Sequence, residues 1–226
     1  MGWRDWVRGS EVEPSLYGAD LACLGAQIDA LLAAGCRVFH FDVGDGHLVE
    51  QIMMGPIVLQ WIAPRIHDAG GVVDVHLMVE CPAKYFEPVR RAGGDSVTYQ
   101  LEAVDDVPGT IAAARAAGLG AGVAFNPETE PEVVAPAARD ADLVLCMSIQ
   151  PGHAEQRFRE ETYDRVRRLS ALAPSNQLLQ VDGGVGDANV ARLRDCGASL
   201  LVAASSIFGD PDPPGAYRRL AATPPA

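Results

Sequence analysis

Short β-rich runs alternate with longer Ala, Leu and Arg-rich runs along nearly all of the 226 residues, and few folds accommodate that alternation. Parallel strands need a long crossover between neighbours, and an amphipathic helix supplies it, so the pattern belongs to an α/β protein with a helix-covered parallel sheet. Eight strands are predicted: Val12 to Leu16, Arg37 to Asp42, Val72 to Leu77, Ser96 to Leu101, Gly120 to Phe125, Leu143 to Met147, Leu178 to Val181 and Ser199 to Ala203. Between them, Leu21 to Ala34, Phe86 to Ala92, Thr110 to Ala117 and Glu160 to Ala173 carry apolar residues at the spacing of one helical face. Gly35, Gly93, Gly118 and Gly197 follow these and a later helix, where a left-handed closing residue is expected. Eight such units favour a single closed (β/α)8 TIM barrel over an open doubly wound sheet. The segment VDGGVGDAN also lacks the three-glycine dinucleotide fingerprint. Residues 1–226 are therefore expected to form one domain, with 1–10 and 210–226 as peripheral termini.

Charge narrows the partners. A formal net charge of −12 opposes nucleic acid and anionic membrane surfaces, which leaves a small molecule. An anionic ligand would then need a local cradle of backbone amides. No apolar run approaches the roughly 20 residues that span a bilayer. Five cysteines without a CxxC pair or a secretory leader fit reduced thiols in cytoplasm, four of them in apolar surroundings as small buried hydrophobes. Lys84 is the one lysine and does not stand at a strand end, which argues against Schiff-base chemistry.

His40 and Asp42 close one predicted strand, His76 another and Asp182 a third. Strand ends of such a barrel converge at one mouth, so these four residues can meet although 140 positions separate them. His40 and Asp42 are two apart and point to the same side of their strand. A lone histidine is more often a packing residue, but two histidines and two aspartates at strand ends form a mixed nitrogen and oxygen set suited to one divalent zinc, iron(II), manganese or cobalt ion. Asp45 is expected to cap its own loop through backbone amides, and His47 is a candidate rim contact. Gly183 and Gly184 follow the seventh strand and Ser205 and Ser206 the eighth, where such barrels commonly hold phosphate. The Pro151, Gly152, His153 turn is a candidate lid over the same group.

These motifs resemble the ribulose-phosphate 3-epimerase family from Pro14 to Gly209. EPSLYGADLACLG is similar to the family's opening strand and helix, with Ser15 at its substrate-contacting serine. HFDVGDGHLV carries the counterparts of a metal-binding histidine and the first catalytic aspartate, His40 and Asp42. DVHLMVECP carries the second metal-binding histidine, His76, and a methionine, Met78, while QVDGG places Asp182 at the second catalytic aspartate. The resemblance implies an isomerase that inverts the carbon beside a ketone through an enediolate, on a sugar phosphate, with D-ribulose 5-phosphate to D-xylulose 5-phosphate as the leading reaction. Asp42 and Asp182 would be the two acid/base groups and metal ligands. His76, Met78, Met147, Gly152 and the phosphate-side residues above would line the substrate. A homo-oligomer is expected.

Departures from the family pattern cluster around the substrate. Gly44 stands where a methionine is usual and is expected to open space beside the reacting carbons; Glu50 and Gln51 replace a Pro-Asn pair, and Gln100 replaces a histidine. His153, Ala154 and Glu155 replace a glycine-rich lid. An epimerase for another sugar-derived metabolite in a specialised pathway, or a non-catalytic metabolite- or partner-binding barrel, are the alternatives. A lysine-dependent decarboxylase is disfavoured by the isolated Lys84.

Overall fold

The computed structural model describes residues 3–7, 9–152 and 156–226. Eight parallel strands, β1 (Glu11–Pro14), β2 (Val38–Gly44), β3 (Val72–Met78), β4 (Ser96–Gln100), β5 (Gly120–Phe125), β6 (Leu143–Met147), β7 (Leu178–Asp182) and β8 (Leu200–Ala203), follow one another around a nearly closed (β/α)8 barrel. Seven strand pairs carry regular ladders, whereas β1 meets β2 through the single bridge Ser15 to His40. The seam of the barrel thus lies beside two of the candidate site residues.

Both faces of each strand are covered, so nearly every strand residue is buried. In β2 the alternation separates Phe39, Phe41 and Val43, which join the core beneath the helices, from His40 and Asp42, which point into the barrel. Lower in the barrel, Val38, Leu143, Leu145 and Leu200 pack with Trp3, which is only 3% exposed. Trp3 thus plugs this end of the barrel: its indole stands 3.0 Å from where a Cβ on Gly120 would lie. Gly35, Gly93, Gly118 and Gly197 all have positive φ, between 81° and 106°, as helix-closing glycines should.

Helix and strand bounds shift from the expected ones where caps or pairing decide them. Helix Val107–Ala116 starts three residues before Thr110 because the Asp106 carboxylate accepts the Gly109 amide at 2.9 Å and Pro108 occupies the first turn. Strand β1 ends at Pro14, and Leu16 belongs to a short 3-10 turn, Leu16–Gly18. β2 runs two residues beyond Asp42, paired with Leu77 and Met78 of β3. Cys36, Cys146 and Cys196 are buried as expected, but Cys81 and Cys23 are exposed, one thiol fewer inside than the apolar surroundings suggested. Among the described residues no helix is long and apolar enough to cross a membrane.

Candidate active site

Strands β2, β3 and β7 bring His40, Asp42, His76 and Asp182 together, with one ligand atom from each lying within 4.8 Å of all the others. His40 Nε2 is 3.2 Å and His76 Nδ1 is 3.3 Å from Asp42 Oδ1, and His76 Nδ1 is 4.0 Å from Asp182 Oδ2. Neither of these imidazole nitrogens makes a directed hydrogen bond, although both are fully buried. The other nitrogen of His76, Nε2, donates to Gln100 Oε1 at 3.0 Å, which holds the ring with Nδ1 turned toward the two carboxylates. Two carboxylates and two imidazoles gathered in one buried place are a donor set for a divalent cation. Donors held about 2.0–2.2 Å from a tetrahedral ion stand about 3.3–3.6 Å apart, close to the two shorter separations. The residues fit a divalent metal, with Asp182 the loosest of the four.

Below this layer, His40 Nδ1 faces Asp74 Oδ2 at 3.3 Å and Glu13 Oε2 at 3.7 Å. One side-chain amide serves both acids, Gln180 Nε2 donating to Glu13 at 2.6 Å and to Asp74 at 3.0 Å. Ser96 Oγ and Thr98 Oγ1 donate to the other Asp74 oxygen. Burial alone would depress His40, but Asp42, Asp74 and Glu13 outweigh it and hold the imidazole well above its ordinary value. Burial pushes Glu13 up to about 7. Asp74 is held below the usual carboxylate range, since His40, Gln180 and Ser96 overcome its desolvation.

The two candidate acid/base groups differ. Burial would raise Asp42, yet His40 and His76 overcome it and hold the carboxylate far below its usual range. Asp182 is raised, first by burial and then by the charge of Asp42. Ser15 Oγ donates to Asp42 Oδ2 at 2.6 Å, leaving Oδ1 to the imidazoles.

A cavity of about 250 Å³ opens above the cluster. Its walls include Ser15, Asp42, Met78, Met147, Gly152, Asp182, Gly183, Gly184 and Ser205, which the sequence pointed to. Ser206 does not line it; its hydroxyl donates to Val185 O at 2.7 Å. His47 is exposed and lines neither this cavity nor its neighbour, while Asp45 accepts the amides of His47, Leu48 and Glu80 at 2.9 Å each, a loop cap as expected. His153, Ala154 and Glu155, the altered lid positions, lie outside the described residues.

The expected opening beside Gly44 is not there. A Cβ on Gly44 would meet Met53 Cγ at 2.8 Å and Met53 Sδ at 2.9 Å. The loop after β2 folds back through the Asp45 to Ile52 bridge, and the Met53 amide donates to Gly44 O at 3.0 Å, so Met53 fills the place a side chain at 44 would take. Met53, Met78 and Met147 all line the cavity.

On the far side of the mouth a second cavity of about 830 Å³ is lined by Gln51, Gln100, Asn126, Gln150 and Gln156 among others. Gln100 Nε2 donates to Asn126 Oδ1 at 2.6 Å, joining this wall to His76. Glu13, Asp74, Gln180, Met53 and Asn126 were not anticipated. A signal for three of them was present: Glu13 precedes Ser15, Asp74 precedes His76 and Gln180 precedes Asp182, each by two, so each shares the inward face of its strand.

The model of the ribulose-phosphate 3 epimerase family matches residues 11–208. The chain belongs to that family. It is 34% identical over 206 residues to the ribulose-phosphate 3-epimerase of Bacillus subtilis, covering 89% of this chain and 94% of that protein. Identity to the Serratia marcescens enzyme of the same name is 36% over 204 residues, covering 89% and 96%. Solved structures with the same fold include a 3-hexulose-6-phosphate synthase, with a TM-score of 0.68 at 19% identity over 96% of this chain and 99% of that one. A tryptophan synthase α-subunit from Pyrococcus furiosus has a TM-score of 0.71 at 15% identity over 96% and 98%. As a member of the ribulose-phosphate 3-epimerase family the chain is an epimerase of pentose phosphates.

Proposed function

We propose that the chain is a metal-dependent 3-epimerase interconverting D-ribulose 5-phosphate and D-xylulose 5-phosphate. The observation that carries this reading is the pair Asp42 and Asp182, two carboxyl groups at one cavity whose surroundings drive their proton affinities apart. His40, Asp42, His76 and Asp182 would hold one divalent ion, zinc, iron(II), manganese or cobalt. When bound, that ion supplies Lewis acidity that favours negative charge on the substrate's oxygens.

The side chains do the rest. Asp42, ionised and steadied by Ser15, removes the proton from the carbon beside the ketone. Asp182, whose proton affinity burial and the charge of Asp42 raise, is the group placed to return a proton to the opposite face of the enediolate. The product has inverted configuration, no redox change occurs, and the two aspartates have exchanged protonation states. Proton exchange with water resets them. Met53, Met78 and Met147 form a polarizable wall that keeps water from the planar intermediate. The phosphate is assigned to the turn at Gly183 and Gly184, both with positive φ, and to the start of the Ser205–Phe208 turn of helix. A neutral cradle suits a chain of net charge −12.

The same reading places the enzyme in the cytoplasm as a homo-oligomer, which light scattering of the purified protein tests. The chemistry is tested by proton NMR in heavy water. Ribulose 5-phosphate should take up deuterium at C3 as xylulose 5-phosphate appears, and chelation of metal should stop both. Absence of exchange in metal-loaded protein would sink the assignment.

A further inference from the structure

We propose that the carboxamide-lined cavity is a second substrate subsite, which receives hydroxylated carbons lying beyond the carbonyl of a ketose phosphate, on the side away from its phosphate. The proposal rests on the epimerase reading and extends it to substrates longer than a pentulose phosphate.

Placement comes first. The phosphate-side residues Gly183, Gly184 and Ser205 follow β7 and β8, whereas Gln100 ends β4 and Asn126 and Gln150 follow β5 and β6, further round the mouth. The two cavities share Tyr17, Gln150, Pro151 and Gly152 in their walls, so one molecule can lie in both. A ketose phosphate with its reacting carbon between Asp42 and Asp182 then points its other end at the carboxamides. A pentulose phosphate has a single carbon to offer there, and the space is about 830 Å³ against about 250 Å³ over the reacting centre.

The chemistry of the lining selects the occupant. Among the described residues its walls contain no lysine or arginine, and Glu50 is one of the lining residues, so a second phosphate or a carboxylate would be repelled. Each carboxamide carries two N–H donors and an oxygen with two lone pairs, and the capacity left after the bonds within the wall suits a row of hydroxyl groups. Several are already held in orientation: Gln150 Nε2 donates to Glu128 at 2.6 Å, and Gln156 Nε2 to Gln150 O at 3.2 Å. Preset partners lower the entropy lost when a flexible polyol binds. Epimerisation of the longer substrate is the same balanced step, one proton removed from and one returned to the carbon between carbonyl and phosphate.

The test compares ribulose 5-phosphate with the hex-3-ulose 6-phosphate that adds one hydroxymethyl group on the carbonyl side. Deuterium uptake at the carbon on the phosphate side gives kcat/KM for each with the metal-loaded full chain. The six-carbon compound should equal or exceed ribulose 5-phosphate. Gln51→Leu and Gln156→Leu should each lower its kcat/KM about fivefold, the worth of one ordinary hydrogen bond, and change that of ribulose 5-phosphate less than twofold. A six-carbon value below the five-carbon value overturns the subsite without reference to any variant, as do equal losses on both substrates; in either case the epimerase reading stands. Exchange with neither compound in the native chain overturns that reading as well.

Discussion

His40 has a carboxylate layer on each side, and the two layers differ in one respect. Below it, Asp74 is met by Ser96, Thr98 and Gln180, and the same Gln180 amide reaches Glu13. Above it, Asp42 has one hydroxyl donor, Ser15, and then two imidazole nitrogens with no directed bond. Neutral donors thus satisfy Asp74, although Glu13 Oε1, Gln180 Oε1 and His40 Nδ1 in the same layer have no directed bond. The lower layer is sealed from the cavity and supports His40 from beneath, whereas the upper layer is open to the cavity and is where the proposed function puts a cation and a substrate. Neither the burial of acids nor an unpartnered atom distinguishes the site from its foundations, but contact with the cavity does: Asp42 and Asp182 line it, and Glu13 and Asp74 do not.

The contrast can be broken experimentally. The largest effect is expected in the open layer, where Asp182→Asn and Asp42→Asn should each lower turnover about 10³-fold by removing one acid/base group while leaving the fold intact. Turnover near the native rate for either variant, with circular dichroism unchanged, would reject the two-carboxylate assignment. Metal at about 1,000 times its dissociation constant should stabilise the native chain by about 4 kcal/mol in calorimetric unfolding, and His76→Ala should remove that increment.

In the sealed layer the expected effect is pH-dependent. Glu13 rises from 4.5 to about 7 on folding, so between those values the folded chain holds a proton the unfolded chain has released. Stability falls as pH rises through that window, by about 3 kcal/mol in the metal-free protein. Glu13→Gln should abolish this slope, leaving the variant more stable than the native chain at pH 8 and comparable at pH 4.5. Urea unfolding at both pH values decides it, and equal slopes in the two proteins would show that Glu13 does not titrate in the window. The smallest change concerns the wall. Gly44→Ala should cost about 1–3 kcal/mol, since its Cβ would meet the Gln51 carbonyl oxygen and the Met53 Cγ, each at 2.8 Å. A neutral result in thermal unfolding would show that this loop yields freely.

Most of the barrel could be read from the chain because each β/α unit announces itself locally, by a β-branched run, an amphipathic run and a closing glycine. The four residues of the open layer were legible for the same reason: a strand's C-terminal end defines a place in the fold. What escaped depends on contacts between distant segments. Met53 stands nine residues after Gly44, and nothing in the linear order says that the intervening loop returns to the strand it left. Asn126 reads as an ordinary loop residue until Gln100 reaches it from the neighbouring strand. Glu13 was hidden differently, because an acid in a short strand suggests solvent, and only the inward position of Ser15 two residues later argues otherwise. Trp3 could not be placed from a segment without periodicity.

A side chain at position 44 would be carried by the barrel itself, whereas Met53 hangs from the returning loop that begins at Asp45. In the proposed reaction, shelter of the reacting carbons is thereby tied to the posture of a surface segment whose neighbour Ile52 is 85% exposed. Any binding event or substitution that draws this segment outward removes a wall of the reaction chamber without touching a catalytic group, so retention of the intermediate against protonation by stray water becomes a property of the loop.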